Sequence, residues 1–230
     1  MTDETVADYD IRSPASRTLL TVVATLVAVG VVGGLVLGTS ILMRDTRIST
    51  SVIDLDGSGQ VIVDATSANI SIVEGADDVV KLTARVTSGL RATDYRLGRR
   101  GDVIRVASGC QTWLSPGCGV KVSLEVPRGL PVVVNTVSGN VKVTGLSVDE
   151  LAVTTRSGNV EATFADQPFA FKATTDDGDI SGTIPTGRRT YVVTMKSESG
   201  SASSSIESDK DGRGFIRAIS DSGNIRLATS

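Results

Sequence analysis

The densest group of side chains able to do chemistry is Asp176, Asp177 and Asp179 around Gly178, followed by Arg188 and Arg189. Carboxylates clustered at one turn beside a basic residue could bind calcium and act on a sugar, a device that polysaccharide-cleaving parallel β coils use. The competing reading is structural. Asp177-Gly178-Asp179 fills slots held by Ser-Gly-Asn elsewhere in the chain, where turn chemistry alone accounts for it. The 230 residues include no histidine, which removes the commonest general base and any Ser-His-Asp arrangement. No phosphate-binding glycine loop or nucleophile elbow is present either. The sequence therefore predicts no catalytic residue, no cofactor and no resident metal.

The other reactive pair is Cys110 and Cys118, which enclose the run QTWLSPG. Its Pro-Gly turn could bring the thiols together, and an even count in an exported domain favours a disulfide. Such a short staple contributes on the order of 2–3 kcal/mol. The alternative is two unrelated thiols in a cytosolic domain; zinc lacks the histidines to complete four ligands. Trp113, inside the same loop, is either a binding anchor or a ring covering the staple.

The elements that would position these groups come from a repeat. TVSGNVKV, TTRSGNVEA, TTDDGDISG, KSESGSASS and ISDSGNIRL succeed one another, and their glycines Gly139, Gly158, Gly178, Gly200 and Gly223 lie 19, 20, 22 and 23 residues apart. Aligned on these glycines, the chain shows a period-2 code. Val132, Leu151, Phe171, Val193 and Ile216 stand seven residues before the glycine, and Val134, Val153, Ala173, Met195 and Ala218 five before it. Val141, Val160, Ile180, Ala202 and Ile225 stand two after it. A strand, a glycine corner and a second strand recurring with loop-length drift suit a parallel coil stacked at about 4.8 Å per rung. Antiparallel hairpins would want Asn-Gly or Asp-Gly loops, whereas here glycine comes first. Asn140, Asn159, Asp179 and Asn224 should then fall on one line and help hold register.

The first half carries a weaker copy. Val61, Val63, Ile70 and Ile72 occupy buried columns around Ala68, which replaces the glycine, and Leu82, Ala84 and Val86 precede Gly89. Residues 91–119 break the rhythm and read as an irregular rung re-entering at Val120.

Ahead of the repeats, Thr18 to Met43 is uncharged. At about 1.5 Å per residue it exceeds the roughly 30 Å hydrocarbon core, so it reads as an uncleaved transmembrane helix. A signal peptide would be shorter with a small-residue cleavage site. Gly30, Gly34 and Gly38 form a doubled small-xxx-small face for close helix packing, although glycine is frequent in membrane helices generally. Arg12 and Arg17 balance Arg44 and Arg47, so flanking charge does not orient the helix. The cysteines place the C-terminal domain outside and the N-terminus in the cytoplasm.

A net charge of −3, from 23 basic and 26 acidic residues, with no basic stripe, argues against nucleic-acid binding. Aromatic residues make up 3% of the chain, which leaves little for stacking platforms.

The run VSLEVPRGLPVVVNTVSGNVKVTG from Val122 to Gly145, with the SGN, DGD and SGN turns after it, closely resembles a bacterial family of adhesin-like β-strand-repeat domains of unknown function. The resemblance covers roughly residues 60–230. It implies a β-helix-like solenoid at the cell envelope, often behind a single membrane anchor, and it carries over no catalytic residues. Ala68 and the cysteine segment depart from the pattern.

These readings combine into an all-β fold, a right-handed parallel β-helix-like solenoid with rungs of about 20 residues, preceded by one transmembrane α-helix. The expected domains are a cytoplasmic tail 1–17, the helix 18–43, a linker 44–59 and the solenoid 60–230. The expected function is non-enzymatic binding, adhesion or structural interaction at the cell membrane. The alternatives are a polysaccharide-active enzyme and an accessory or sensing subunit of a membrane complex. The expected partners are the bilayer and an envelope protein or glycan. Self-association is open through the helix or through the C-terminal edge, where the last strand stops without a cap.

Overall fold

The computed structural model describes residues 22–23, 25–32, 34, 45–54, 59–76, 78–88, 94–100, 103–109 and 119–230. The first strands are β1 (Asp45–Asp54), β2 (Val61–Ser67), β3 (Asn69–Glu74), β4 (Val79–Ser88), β5 (Asp94–Arg100), β6 (Val103–Gly109) and β7 (Gly119–Val126). The rest follow as pairs across a corner. These are β8 (Val132–Ser138) with β9 (Val141–Leu146), β10 (Glu150–Ser157) with β11 (Val160–Phe164), and β12 (Ala170–Asp177) with β13 (Ile180–Ile184). The last two pairs are β14 (Tyr191–Ser199) with β15 (Ala202–Ser204), and β16 (Gly214–Ser222) with β17 (Ile225–Thr229).

The period-2 code decides which face of each strand is buried. Val132, Leu151, Phe171 and Ile216, and across the corner Val141, Val160, Ile180 and Ile225, are all at most 1% exposed. Each such aliphatic side chain contributes about 1.5–3 kcal/mol by leaving water. One sheet runs β14-β16-β12-β10-β8-β2-β6-β5 and the other β1-β4-β7-β3-β9-β11-β13-β17-β15, and neither closes into a barrel. Pairing is parallel from β2 and β3 through to β14 and β15, and the whole is a mostly-β, solenoid-like stack. The volumes balance locally. Phe171 brings a ring where its neighbours carry Val, Leu or Ile, and a Cβ on Gly182 would sit 2.8 Å from that ring.

The corner glycines form one column. A Cβ on Gly139 would lie 2.1 Å from the Ala68 carbonyl oxygen, and one on Gly158 would lie 2.2 Å from that of Gly139. The same clash repeats from Gly178 to Gly158, from Gly223 to Gly178 and from Gly200 to Gly223. Among the described residues this column starts at Ala68, whose φ is not positive. Beside it runs the expected polar ladder, built from side chain to backbone. The Asn140 amide donates to Asn69 Oδ1 at 3.0 Å, Asn159 to Asn140 at 2.9 Å, Asp179 to Asn159 at 2.9 Å and Asn224 to Asp179 at 2.7 Å. Ser201 closes it, its amide donating to Asn224 Oδ1 at 3.1 Å.

Several expectations need correction. The last repeat does not end the stack: β17 pairs with β13 on one side and β15 on the other, so the C-terminal strand is no open edge. The outermost rung is β14–β15. This is why its sequence is degenerate, with Ala202 to Ser204 exposed and Val193 and Met195 only partly buried. Terminal repeats face water and lose the apolar code. Residues 45–54, expected within a linker, form β1 antiparallel to β4. The irregular rung is a hairpin, β5 antiparallel to β6, and β7 runs antiparallel to β4. The stack is therefore parallel only in part.

Among the described residues no helix is long and apolar enough to cross a membrane. Most of the expected span 18–43 lies outside them, although residues 25–32 are helical. Gly30 and Gly34 lie in helix, with nothing within 4 Å of an added Cβ. Gly38, Gly89, Cys110, Trp113 and Cys118 lie outside the described residues.

Candidate functional site

The edge opposite the glycine corners is closed by return loops, and there the rung exchange has a consequence. Because β16 inserts between β12 and β14, Ala170 and Val192 both flank Phe215 in register. Loops 165–169, 185–190 and 205–213 are thereby gathered around one cleft. The cleft holds about 460 Å³ and is lined by Phe169, Arg188, Arg189, Thr190, Asp211 and Arg213.

Its apolar part is the ring of Phe169, which packs on Phe215 beside the cleft. Phe169 and Phe215 meet edge to face, with centroids 5.8 Å apart at 74°, and are 46% and 47% exposed. They are two of the chain's four phenylalanines, and the other two, Phe164 and Phe171, are buried. The Arg189 guanidinium carbon sits 5.7 Å from the Phe169 centroid, a cation–π contact. Its Nη1 is buried without a hydrogen-bond partner, and an unsatisfied buried donor costs about 1–3 kcal/mol.

Half-buried Gln167 and buried Tyr191 tie the loops together. Gln167 Nε2 donates to the Arg189 carbonyl at 3.1 Å, while the Arg189 amide donates to Gln167 Oε1 at 2.9 Å. Tyr191 Oη donates to the Pro168 carbonyl at 2.9 Å, and burial pushes its pKa up to about 12 against a smaller opposing effect from Arg189. The Phe215 amide donates to the Phe169 carbonyl at 2.9 Å, and the Gly214 amide to the Thr190 carbonyl at 3.0 Å. These bonds tie the return loops to one another around the cleft.

Its charge is lopsided. Among the described residues Arg188 and Arg213 have no acid within ion-pair distance, and Asp211 meets only Lys210 at 3.7 Å across exposed side chains. The cleft presents three guanidiniums against one carboxylate.

The acidic turn that dominates the sequence lies on the glycine edge, away from these arginines. Asp179 belongs to the polar ladder, and Asp176 is 3.9 Å from Arg156. Among the described residues no group of three or more Cys, Asp or Glu side chains could hold a metal ion. Sequence reading flagged Arg188 and Arg189 but attached them to the wrong carboxylates, and it passed over Phe169, Phe215 and Arg213. The available signal was Phe215, one residue outside the buried column that holds Ile216; Phe169 stands two residues before Phe171, in the inward parity, and left no such mark.

A second groove of about 610 Å³ lies on the outward face of β3, β4, β7 and β9. Arg85 and Lys121 stand directly opposite each other there, a repulsive pairing. The other charges are spent: Lys142 Nζ binds Glu161 at 2.8 Å, and Lys81 lies 3.4 Å from Glu125. No exposed aromatic pair joins this groove, so the return-loop cleft is the better candidate.

No curated protein matches the sequence. The fold is similar to the crystal structure of a candidate cell adhesion protein from Clostridium sporogenes, with a TM-score of 0.61 and 8% identity, covering 81% of this chain and 100% of that one. A weaker likeness, TM-score 0.38 at 11% identity, covers 80% of this chain and 97% of a candidate adhesin from Bacteroides fragilis. At such identity the first likeness speaks for the fold alone. Residues 122–228 match the family model described as Toastrack DUF4097, so the rungs from β7 onward carry the likeness to that family.

Proposed function

We propose that this chain is a membrane-anchored, non-enzymatic binding module that presents a rigid β stack outside the cell and takes an anionic ligand in the return-loop cleft. The observation that carries this reading is the concentration of Arg188, Arg189 and Arg213 around the half-exposed ring of Phe169. Guanidiniums bind carboxylates and phosphates through paired donors. Loops already locked by Gln167 and Tyr191 lose little entropy on binding. The names of the structurally similar proteins, which speak of adhesion, agree with a binding role.

The test is retention of the full-length chain, in detergent micelles, on immobilised dextran sulfate. Wild type should be retained and eluted by salt, and the double variant Arg188→Gln, Arg213→Gln should elute markedly earlier. Equal retention of the two overturns the cleft as the binding site. Turnover of envelope polysaccharide that disappears in Asp177→Asn would replace the binding reading with an enzymatic one. Protease added to intact cells should degrade the β stack and leave an N-terminal fragment; full protection would refute the outward topology.

A further inference from the structure

We infer that the ligand of the return-loop cleft is an acidic saccharide, a sugar ring bearing a carboxylate, within a polymer. This rests on the cleft being the binding site proposed above, and it adds the chemistry of what enters. Three features of the lining select that class together. The ring of Phe169, packed edge to face on Phe215 beside the cleft, leaves nearly half its surface to solvent and offers an apolar face to the C–H side of a sugar ring. The arginines supply donors in excess, which a neutral sugar would leave uncompensated. Asp211 and Thr190 supply acceptors at the same cleft. Asp211 as a carboxylate only accepts, so its partner has to donate. Sugar hydroxyls donate, whereas a ligand that is only an anion would meet Asp211 as a like charge.

The arrangement also separates the tasks. Arg189 is committed to the Phe169 face and to the Gln167-locked loop, so it orients the ring that stacks. Arg188 and Arg213, exposed and without acid partners among the described residues, remain to take the carboxylate. A volume of about 460 Å³ falls in the usual range for a small-ligand cleft, and its position on the open return edge lets a chain enter and leave.

The experiment compares three probes on the full-length chain by calorimetry: polygalacturonate, polyphosphate and dextran. Polygalacturonate should bind, dextran should not, and affinity for polygalacturonate should fall on the order of tenfold in Phe169→Leu and again in Arg213→Gln. Arg213→Gln removes a group that nothing in the fold uses and should keep the wild-type melting temperature, whereas Phe169→Leu keeps an apolar side chain but gives up the ring contacts with Phe215 and Arg189, so its melting temperature should fall modestly and binding is compared well below it. If polyphosphate binds equally well and Phe169→Leu changes nothing, the cleft is an anion site. The saccharide inference is then overturned while the binding-module reading stands. If no probe binds in a way that depends on Arg213, both fall.

Discussion

The two edges of the stack obey opposite rules. On the glycine edge each corner glycine packs against the carbonyl of a neighbouring rung, and the Asn140, Asn159 and Asp179 side chains all reach into a neighbouring rung. On the return edge loops 147–149, 165–169, 185–190 and 205–213 differ in length and sequence, and Phe169, Arg188 and Arg213 are left facing water. Repetition marks where the fold spends its polar groups internally. Departure from repetition marks where groups are left for something else to meet.

The comparison breaks first if the glycine edge is not rigid. Gly158→Ala places a Cβ 2.2 Å from the Gly139 oxygen and 2.7 Å from its carbon, both backbone, at φ +155°. A loss of roughly 3 kcal/mol or more is expected, read as a lower denaturation midpoint. Ala68→Gly, at the first described position of the same column, should lose about 1–2 kcal/mol through chain entropy and the loss of a buried methyl. Similar losses in the two variants would show that corner stacking does not hold the register.

The return edge yields a smaller effect with a pH signature. Tyr191→Phe removes the donor to Pro168, leaving a carbonyl unpaired at a cost of about 1–3 kcal/mol. Wild-type Tyr191 holds its proton more tightly when folded, with a pKa of about 12 against 10.0 for the ordinary group. Its contribution is therefore complete below about pH 10 and lost as pH rises through about 12. The variant should lack that alkaline loss in a pH series of denaturation midpoints. An identical alkaline decline in both proteins would mean the hydroxyl is not the group that locks the loop.

Much of the architecture was legible because burial imposes period 2 and a close carbonyl imposes glycine, and both leave marks on single residues. Val132, Val153 and Ile180 were placed inward by that rule, and Asn140, Asn159, Asp179 and Asn224 on one line. Rung order left no such mark, since Ala218 packs in register with Ala173 or Met195 alike. The one hint was the eroded apolar code at Ala202 to Ser204, where an inner rung would carry Val or Ile. The cleft was invisible for the same reason: Phe169, Arg189 and Phe215 lie on three repeats, and only the exchange of the last two rungs brings them together.

The hydroxyl column beside the corners gives the finest test. Thr175 Oγ1 donates to the Gly158 carbonyl at 3.2 Å and Ser220 Oγ to that of Gly178 at 2.9 Å, whereas Thr155 Oγ1 is buried with no hydrogen-bond partner. Its glycine neighbour Gly139 has φ 122°, against 154° to 156° at Gly158, Gly178 and Gly223, so the corner facing Thr155 is turned differently. Thr175→Val should lose about 1 kcal/mol, because a bonded hydroxyl and the acceptor it satisfied are separated. Thr155→Val removes a polar atom that has no partner and should be neutral or stabilising by up to about 1 kcal/mol. Paired denaturation curves decide between two accounts of this column. Opposite signs mean the hydroxyls act by tying each corner to the one before it, and equal losses mean they act only as packing volume, making the glycine edge a steric device alone.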